Sequence, residues 1–202
     1  ALADDGWKLR VNKQNIKVYV TKLKNSSLHS FRAVTVLNTN IRSLVNLMRD
    51  INSMEKWLET CSNPRVIEEP DEASRIIHMK NKSPFPLIIG HRDLVVLQQF
   101  RRESDKVVMV DIIDKSDKIP PDDNHIRGEY NGHWKFTDIG NQQIEVEYFG
   151  LASPEGDIPT FVVNRVAEDV PYRTLKKLRK MLHKRDTAYN TLMQIDSLSL
   201  EK

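Results

Sequence analysis

The six histidines, side chains that often bind metals or transfer protons, are scattered along this chain. Metal sites and activated nucleophiles need short spacings, such as H-E-x-x-H for zinc or G-x-S-x-G for a serine nucleophile. Neither spacing occurs, Cys61 is the only cysteine, and the seven glycines form no phosphate-binding loop. The sequence therefore predicts no metal site, no cofactor and no internal disulfide. In a cavity, His78 or Asp111 could act as general acid or base, but no spacing requires it.

Arg92 and Asp93 are opposite charges side by side at the start of an apolar segment. Because successive side chains of a strand point to opposite faces, only one of the two can face a cavity. The inward one would bind a polar headgroup or hydroxyl of a ligand. The alternative is an ion pair that fixes the preceding loop, since buried charges need partners.

The loop before this pair, residues 83–89 with the sequence SPFPLII, is unusually apolar. Pro84 and Pro86 lack backbone N–H groups, so the stretch is a poor interior for a helix or a central strand. Loops normally lie on the surface, yet this one carries four large apolar side chains. They are Phe85, Leu87, Ile88 and Ile89. Either they plug the end of a core, or they bind something apolar.

Length and composition indicate a single globular domain. A chain of 202 residues without a linker-like stretch, 39% of it hydrophobic, can bury a sizeable core. The net charge of +3 is small beside a charged fraction of 29%, which argues against nucleic acid as a partner. No apolar run approaches the roughly 20 residues that span a bilayer. The opening Ala1-Leu2-Ala3 fits a signal-peptide remnant, and so export to the periplasm, or else a cloning remnant and a cytoplasmic protein.

Apolar periodicity predicts strands first, then two short helices, a six-strand meander, and one long helix. Turn signals separate most of the strands, and Pro171 should kink or split the long helix. After a short opening segment, 7–11, the predicted strands are 16–20, 30–37, 65–69, 75–80, 93–103, 106–114, 126–137 and 142–152. The predicted helices are 41–48 with Asn40 as cap, 54–59 with Asn52 or Ser53 as cap, and 161–182. This order indicates α+β architecture, in which the helices lie on one face of an antiparallel sheet.

A curved sheet folded around a long helix can keep a cavity between the two. Alternation of polar and apolar residues places Trp134, Phe136, Val146 and Tyr148 on the inner face. For residues 93–100 the pattern leaves two inner faces open. One consists of Leu94, Val96 and Gln98, and the other of Val95, Leu97 and Gln99.

A set of short motifs runs through the chain in a fixed order. They are Gly6-Trp7-Lys8-Leu9, Ile16-Lys17-Val18-Tyr19, Met54-Glu55-Lys56-Trp57-Leu58, Pro84-Phe85-Pro86, Arg92-Asp93, Gly132-His133-Trp134, Val163-Asn164-Arg165 and Asp169-Val170-Pro171. In order and spacing they resemble the START domain, the StAR-related lipid-transfer family of the helix-grip (Bet v 1-like, SRPBCC) superfamily, in its bacterial branch. The resemblance covers about residues 4–184 of a single domain, 1–202, with 185–202 as a C-terminal extension.

This resemblance implies a helix-grip fold, a curved antiparallel β-sheet wrapped around a long C-terminal α-helix, with an internal apolar cavity for one lipid or sterol. It also implies that 83–89 is the family's omega loop, which gates the cavity together with the helix and meets a membrane when open. The implied cavity-lining residues are Trp57, Met79, Arg92, Val96, Gln98, Met109, Trp134, Phe136, Val146, Tyr148, Val163, Asn164 and Ala167.

Sterol-binding relatives resemble one another in a buried acid–arginine pair on neighbouring strands, and the matching positions here fall near Met79 and Gln98, neither of them charged. The resemblance therefore favours a fatty-acyl or phospholipid ligand over a sterol. The expected function is non-catalytic binding of one hydrophobic ligand and its transfer between membranes, with transient contact to a membrane surface. The alternatives are a cyclase- or hydrolase-like enzyme that uses the same cavity and a ligand-gated sensor. The oligomeric state is not predicted.

Overall fold

One curved antiparallel sheet forms the body of the protein. The computed structural model describes residues 6–22, 29–82, 90–121, 125–153 and 160–199. The strands are β1 (Lys8–Lys13), β2 (Ile16–Lys22), β3 (His29–Asn38), β4 (Cys61–Asp71), β5 (Ser74–Asn81), β6 (Arg92–Ser104), β7 (Val107–Asp114), β8 (Ile126–Arg127), β9 (Glu129–Gly140) and β10 (Gln143–Ser153). They pair in the order β1-β2-β3-β10-β9-β7-β6-β5-β4, and β8 pairs only with β6. The prediction of an α+β helix-grip fold is confirmed.

Two tight hairpins set the register of neighbouring strands. Gln14 and Asn15 join β1 to β2, and Asn141 and Gln142 join β9 to β10, all four with φ between 53° and 58°. Two successive residues with positive φ give a primed turn, whose twist matches that of the flanking strands. The hairpins therefore fix which side chains of these four strands share the inner face.

The segment predicted as one strand over 126–137 is two strands in the structure. The backbone N–H of Ile126 donates to the His91 carbonyl, and that of Gly128 donates to the Asp93 carbonyl. These bonds hold β8 parallel to the start of β6, so the chain must turn at Gly128 before β9 can pair with β10 and β7. Local propensity does not reveal this pairing, because the partner carbonyls lie more than thirty residues earlier.

The helices are α1 (Ile41–Arg49), α2 (Met54–Trp57) after a 3-10 turn (Ile51–Ser53), and α3 (Thr160–Ser199). Asn40 caps α1 as predicted, because its Oδ1 accepts from the Ser43 N–H at 2.9 Å. The second helix is shorter than predicted, and the predicted side-chain cap is absent: Ser53 is its N-cap residue but its side chain makes no cap hydrogen bond.

Pro171 lies inside α3 and does not split it, so the prediction of a split was wrong. Proline in a helix interior costs about 3 kcal/mol, because it removes one backbone hydrogen bond and crowds the preceding turn. Buried side chains on both sides of it, Val162 before and Leu175 and Leu178 after, keep the helix packed. Each fully buried aliphatic side chain contributes about 1.5–3 kcal/mol, which together outweighs the proline.

The two edge strands are irregular. In β1 the register with β2 shifts between Leu9 and Val11. In β4 the register with β5 shifts three times, Asn63 has a φ of 47°, and prolines stand at positions 64 and 70. Both edges are therefore bent and only intermittently paired along their length.

On the outer face of the sheet, Glu147 of β10 lies between His133 of β9 and Arg32 of β3. Its Oε1 is 3.1 Å from His133 Nε2, and its Oε2 accepts from Arg32 Nε. These hydrogen bonds, His133 first and then Arg32, lower the pKa of Glu147 from 4.5 to about 2 despite partial burial.

We expect this carboxylate to contribute to the acid stability of the protein. Because its pKa is lower in the folded than in the unfolded chain, its contribution is fully present above about pH 4.5 and is lost as the pH falls toward 2. Urea denaturation at several pH values should therefore show a shallower decline between pH 5 and 2 for Glu147→Gln than for the wild type. An unchanged slope would contradict this role.

Candidate ligand cavity

The inner face of the sheet and the three helices enclose a cavity. Its volume is about 70 Å³. That volume corresponds to about two water molecules and is well below the roughly 300–1,000 Å³ of most small-molecule sites. The lining residues are Met48, Met54, Trp57, Leu58, Thr60, Cys61, Ile77, Met79, Asn81, Leu94, Val96, Gln98, Ile112, Tyr130, Trp134, Tyr148 and Val170. None of these described residues carries a charged side chain.

Aromatic rings form one wall of the cavity. Trp134 stacks on Tyr148 with the ring centroids 3.9 Å apart, and Trp57 meets Trp134 edge to face at 5.8 Å. Phe136 follows Trp134 on the same face of β9, with the ring centroids 6.5 Å apart. Such pairs add to the burial energy of the rings and hold them in fixed orientations. The wall is therefore rigid compared with the aliphatic and methionine side chains that complete the lining.

The ionisable groups of the cavity are neutral near pH 7. The Tyr130 and Tyr148 hydroxyls are hydrogen-bonded at 3.0 Å. Burial raises the pKa of Tyr148 to about 12 and that of Tyr130 well above 10. Burial likewise raises the pKa of the Cys61 thiol to about 12, with the nearby Glu55 adding to the effect. A thiol in this state is a small apolar lining group rather than a nucleophile.

Glycines on β9 and β10 make room for this aromatic packing. A Cβ at Gly150 would lie 2.4 Å from the Tyr130 hydroxyl and 2.5 Å from the Phe31 ring. A Cβ at Gly132 would lie 2.3 Å from the Phe149 carbonyl oxygen. Carbon atoms do not approach other atoms this closely, so a side chain at either glycine would force the strands or the rings apart.

Arg75 is a buried arginine at one end of the cavity that the sequence analysis missed. Its Nε donates to Gln98 Oε1 at 2.7 Å, and its Nη atoms donate to the carbonyls of Met48 and Arg49 at 2.6 Å each. Burial, and then repulsion by Arg49, lowers the pKa of Arg75. A cation at this place satisfies the free carbonyls at the C-terminus of α1 and suits its dipole. The cross-strand partner of Gln98 is thus Arg75, whereas Met79 faces Leu94.

The structure brings six of the predicted lining residues together around the cavity. They are Trp57, Met79, Val96, Gln98, Trp134 and Tyr148. Of the two faces left open for β6, the one with Leu94, Val96 and Gln98 is the inner one. Phe136, Val146 and Ala167 are buried in the hydrophobic core without lining the cavity.

Met109 is a correction to the sequence analysis. It lies on the face of β7 opposite Val108 and Val110, which belong to the core, and it pairs across strands with Arg101 and Lys135. It is buried nonetheless, 7% exposed. Long charged side chains cover apolar neighbours with their stems, which accounts for a buried methionine outside the cavity.

The Arg92–Asp93 prediction also needs correction. Arg92 is not among the lining residues that the structure describes, and its guanidinium donates to the Gly90 carbonyl. Asp93 is fully buried on the other face of β6, where it binds Arg127 at 2.7 Å and His78. The buried ion pair therefore exists, but Arg127 supplies the cation.

Several predicted site residues lie outside the described part of the chain. The gate-loop residues Phe85, Leu87, Ile88 and Ile89 fall in the segment 83–89, which is not described. Val163 and Asn164 belong to α3, but their side chains are not described either.

A second, open depression of about 530 Å³ lies between the β2–β3 end of the sheet and α3. Its lining combines the polar residues Asn15, Asn38, Gln143 and Arg179 with apolar side chains such as Leu37 and Leu182. Arg179 already donates to the Gln14 carbonyl and to Thr35 Oγ1. Although larger, this depression has Arg179 and His183 in its lining, whereas the described lining of the internal cavity carries no charged side chain, so the internal cavity is the better candidate for a hydrophobic ligand.

The sequence profile of the START domain matches residues 1–187. The chain belongs to the START domain family. This START domain is 28% identical over 186 residues to an uncharacterised protein of Pseudomonas aeruginosa, covering 92% of this chain and 90% of that protein. It is 24% identical to the phosphatidylcholine transfer protein of Bos taurus, covering 89% of this chain and 85% of the bovine protein.

Among solved structures, a crystal structure of the STAR-related lipid transfer protein from Xanthomonas axonopodis (fragment 25–204) is similar to this START domain with a TM-score of 0.80 and 27% identity. The match covers 89% of this chain and 99% of the other. START homologues are lipid-binding and lipid-transfer proteins.

In the described part of the chain, no group of three or more His, Cys, Asp or Glu side chains could hold a metal ion. None of the described helices is long and apolar enough to cross a membrane.

Proposed function

We propose that this START domain binds one acyl lipid in the internal cavity and carries it between membranes without changing it. The observation that carries the proposal is a cavity between the sheet and the helices that is lined by apolar and neutral side chains. Burial of an acyl chain there would contribute about 25 cal/mol for each Å² of apolar surface removed from water. The lipid-transfer names of the bovine and Xanthomonas relatives support the same function.

A cavity of about 70 Å³ must expand to accept an acyl chain. Three of its lining residues, Met48, Met54 and Met79, are methionines. Methionine has three rotatable bonds and no branch, so it can repack around a ligand at low cost. We infer that the methionine side chains move to enlarge the cavity while the stacked rings of Trp134 and Tyr148 stay in place.

The positions of the acid–base candidates support a non-catalytic role. His78 lies on the outer face of β5, where Arg65 donates to its Nδ1 at 3.0 Å and Asp93 contacts its Nε2. Asp111 lies on the outer face of β7 and accepts from Arg101 at 2.6 Å. Neither His78 nor Asp111 lines the cavity. The tyrosines and the thiol that do line the cavity are neutral near pH 7, because burial raises their pKa values.

The proposal is tested by native mass spectrometry of the purified protein, followed by extraction and identification of what is bound. A one-to-one complex with an acyl lipid, together with transfer of that lipid unchanged between donor and acceptor vesicles, is the expected result. An empty protein that takes up no lipid from phosphatidylcholine vesicles would contradict it. Conversion of the bound lipid to a product would select the enzyme alternative.

A row of exposed lysines on α3 is the surface that we expect to approach an anionic membrane. Lys176, Lys180 and Lys184 recur at four-residue spacing, so they share one helix face, and all three are exposed. Each basic residue near an anionic surface contributes about 1 kcal/mol of attraction. Lys177, in contrast, already forms an ion pair with Glu59, which lies between α2 and β4.

Replacing Lys176, Lys180 and Lys184 with Glu should weaken binding to vesicles that contain phosphatidylserine by at least tenfold at low salt, as a flotation assay would measure. Binding to neutral phosphatidylcholine vesicles should not change. The single variant Lys177→Gln is the matched control and should have little effect on flotation. Equal loss on both kinds of vesicle would remove the electrostatic explanation.

A further inference from the structure

One buried hydrogen-bond donor in the cavity has no acceptor. Trp57 lines the cavity and is 1% exposed, and its indole Nε1 has no hydrogen-bond partner in the described part of the chain. Buried polar groups are normally paired, and one left unpaired is costly. The edge-to-face contact of Trp57 with Trp134 is a second-order interaction compared with a hydrogen bond to oxygen. The site thus retains a donor that a ligand oxygen could satisfy.

A second donor belongs to the tyrosine pair beside Trp134. The Tyr130 and Tyr148 oxygens are 3.0 Å apart, and each hydroxyl carries one hydrogen. Only one of the two hydrogens can lie between the oxygens, so the pair keeps one more hydrogen to donate. Tyr148 stacks directly on Trp134 and also lines the cavity. Both donors therefore belong to the same aromatic wall.

The charge of the lining decides what kind of acceptor fits. Its described residues include no lysine, arginine or histidine, and Arg75 at one end of the cavity already donates to Gln98 and to the carbonyls of Met48 and Arg49. Moving an ionised carboxylate or phosphate into such surroundings is very unfavourable. A carbonyl oxygen is neutral and offers two lone pairs, so it can accept hydrogen bonds without bringing a charge into the cavity. Hydrocarbon alone would leave both donors unsatisfied.

We propose that the aromatic wall binds the uncharged carbonyl oxygen of an acyl ester or amide, with Trp57 Nε1 as the principal donor and the Tyr130–Tyr148 pair as the second. This inference rests on the proposed lipid-binding function and specifies the part of the lipid that the cavity recognises. The acyl carbonyl lies against the aromatic rings, and the chain occupies the space that the methionine side chains vacate. Lipids without a carbonyl and free carboxylates bind more weakly.

Two ligands that differ only at the carbonyl test this assignment. They are 1-oleoylglycerol, an ester, and 1-O-oleylglycerol, the corresponding ether. In titrations of delipidated protein followed by native mass spectrometry, the wild type should bind the ester about tenfold more tightly. Trp57→Phe keeps the aromatic ring without the N–H and should reduce the preference to about twofold. Trp7 lies on the outer side of the sheet against Phe149, so Trp7→Phe should leave the preference for the ester at about tenfold.

A spectroscopic measurement on the wild type does not depend on whether the Trp57 variant folds. In a ¹H–¹⁵N spectrum of the indoles, the Trp57 N–H should move downfield when 1-oleoylglycerol is bound, while that of Trp7 stays in place. An ester bound with an unmoved Trp57 resonance, or bound no better than the ether, would overturn the inference and leave the lipid-carrier proposal standing. If neither lipid binds, both proposals fail.

Discussion

Asp93→Ala should lower the free energy of unfolding by about 3–5 kcal/mol, the loss expected when one partner of a buried ion pair is removed. Asp93 is fully buried, and its carboxylate accepts from Arg127 Nη2 at 2.7 Å and from Nε at 3.2 Å. Its other oxygen contacts Nε2 of His78. Because Arg65 donates to His78 Nδ1, the Nε2 atom carries the hydrogen that faces Asp93. Removing the carboxylate would leave a buried imidazole N–H without its acceptor and the Arg127 guanidinium without its counter-charge, although the guanidinium keeps its bonds to backbone carbonyls.

Urea denaturation at pH 7 measures this loss. The matched control is Asp111→Ala, which removes a comparable carboxylate–arginine contact on an accessible surface, where the Arg101 side chain is 45% exposed. Exposed pairs contribute about 0–1 kcal/mol, so the control should change stability little. Similar losses in the two variants would show that the buried network is not the main support of this region.

Trp134→Ala should also cost about 3–5 kcal/mol, the range for truncating a large buried aromatic side chain. Trp134 is 3% exposed, stacks on Tyr148 and packs edge to face with Trp57. Its removal leaves the two donor-bearing rings without their common neighbour and opens a void beside the cavity. Thermal and urea denaturation should show the loss of stability, and lipid uptake from phosphatidylcholine vesicles should become less selective.

Trp7→Ala is the control for the loss of an indole as such. Trp7 is only partly buried and makes one edge contact, with Phe149 at 6.3 Å between ring centroids. We expect its truncation to cost less than half of the Trp134 loss. If the two variants were equally destabilised, the aromatic wall would not be the rigid element that the proposed ligand geometry requires.

The sequence was sufficient for the fold because its strongest patterns are local. Alternation in β3 and β10 and the helical period of α1 depend on neighbouring residues, and each is found where it was predicted. The helix α3 begins as predicted but continues to Ser199, past its predicted end at 182. The Asn40 cap is likewise a local interaction. The break at Gly128 was missed because it follows from hydrogen bonds to the distant strand β6.

The site was harder to predict, because alternation identifies an inner face only where the opposite face is wet. Val95 on β6 and Ile76 on β5 are buried although they face away from the core cluster. The Arg127 guanidinium donates to the carbonyls of Ser116, Ile119 and Pro120, so the segment 116–120 covers this outer face. With both faces covered, an outward methionine such as Met109 has the same sequence pattern as an inward one.

Arg75 was missed for a different reason. A charged residue in an apolar strand is normally assigned to the wet face, and nothing near it in sequence indicates a buried partner. Its acceptors are the carbonyls at the end of α1, twenty-six and twenty-seven residues earlier, and Gln98 on the next strand. Such a residue can be recognised only when the helix and the sheet are placed together.

The irregular edge strands of the open sheet have a consequence for how the protein behaves at high concentration. An open sheet presents unpaired backbone N–H and carbonyl groups along β1 and β4, and a straight edge would add strands from other molecules. The register shifts, the two prolines of β4 and the lysines and arginine of β1 prevent a second chain from pairing over more than a few residues. The protein can thus keep a wide sheet for its cavity and still resist aggregation through its edges.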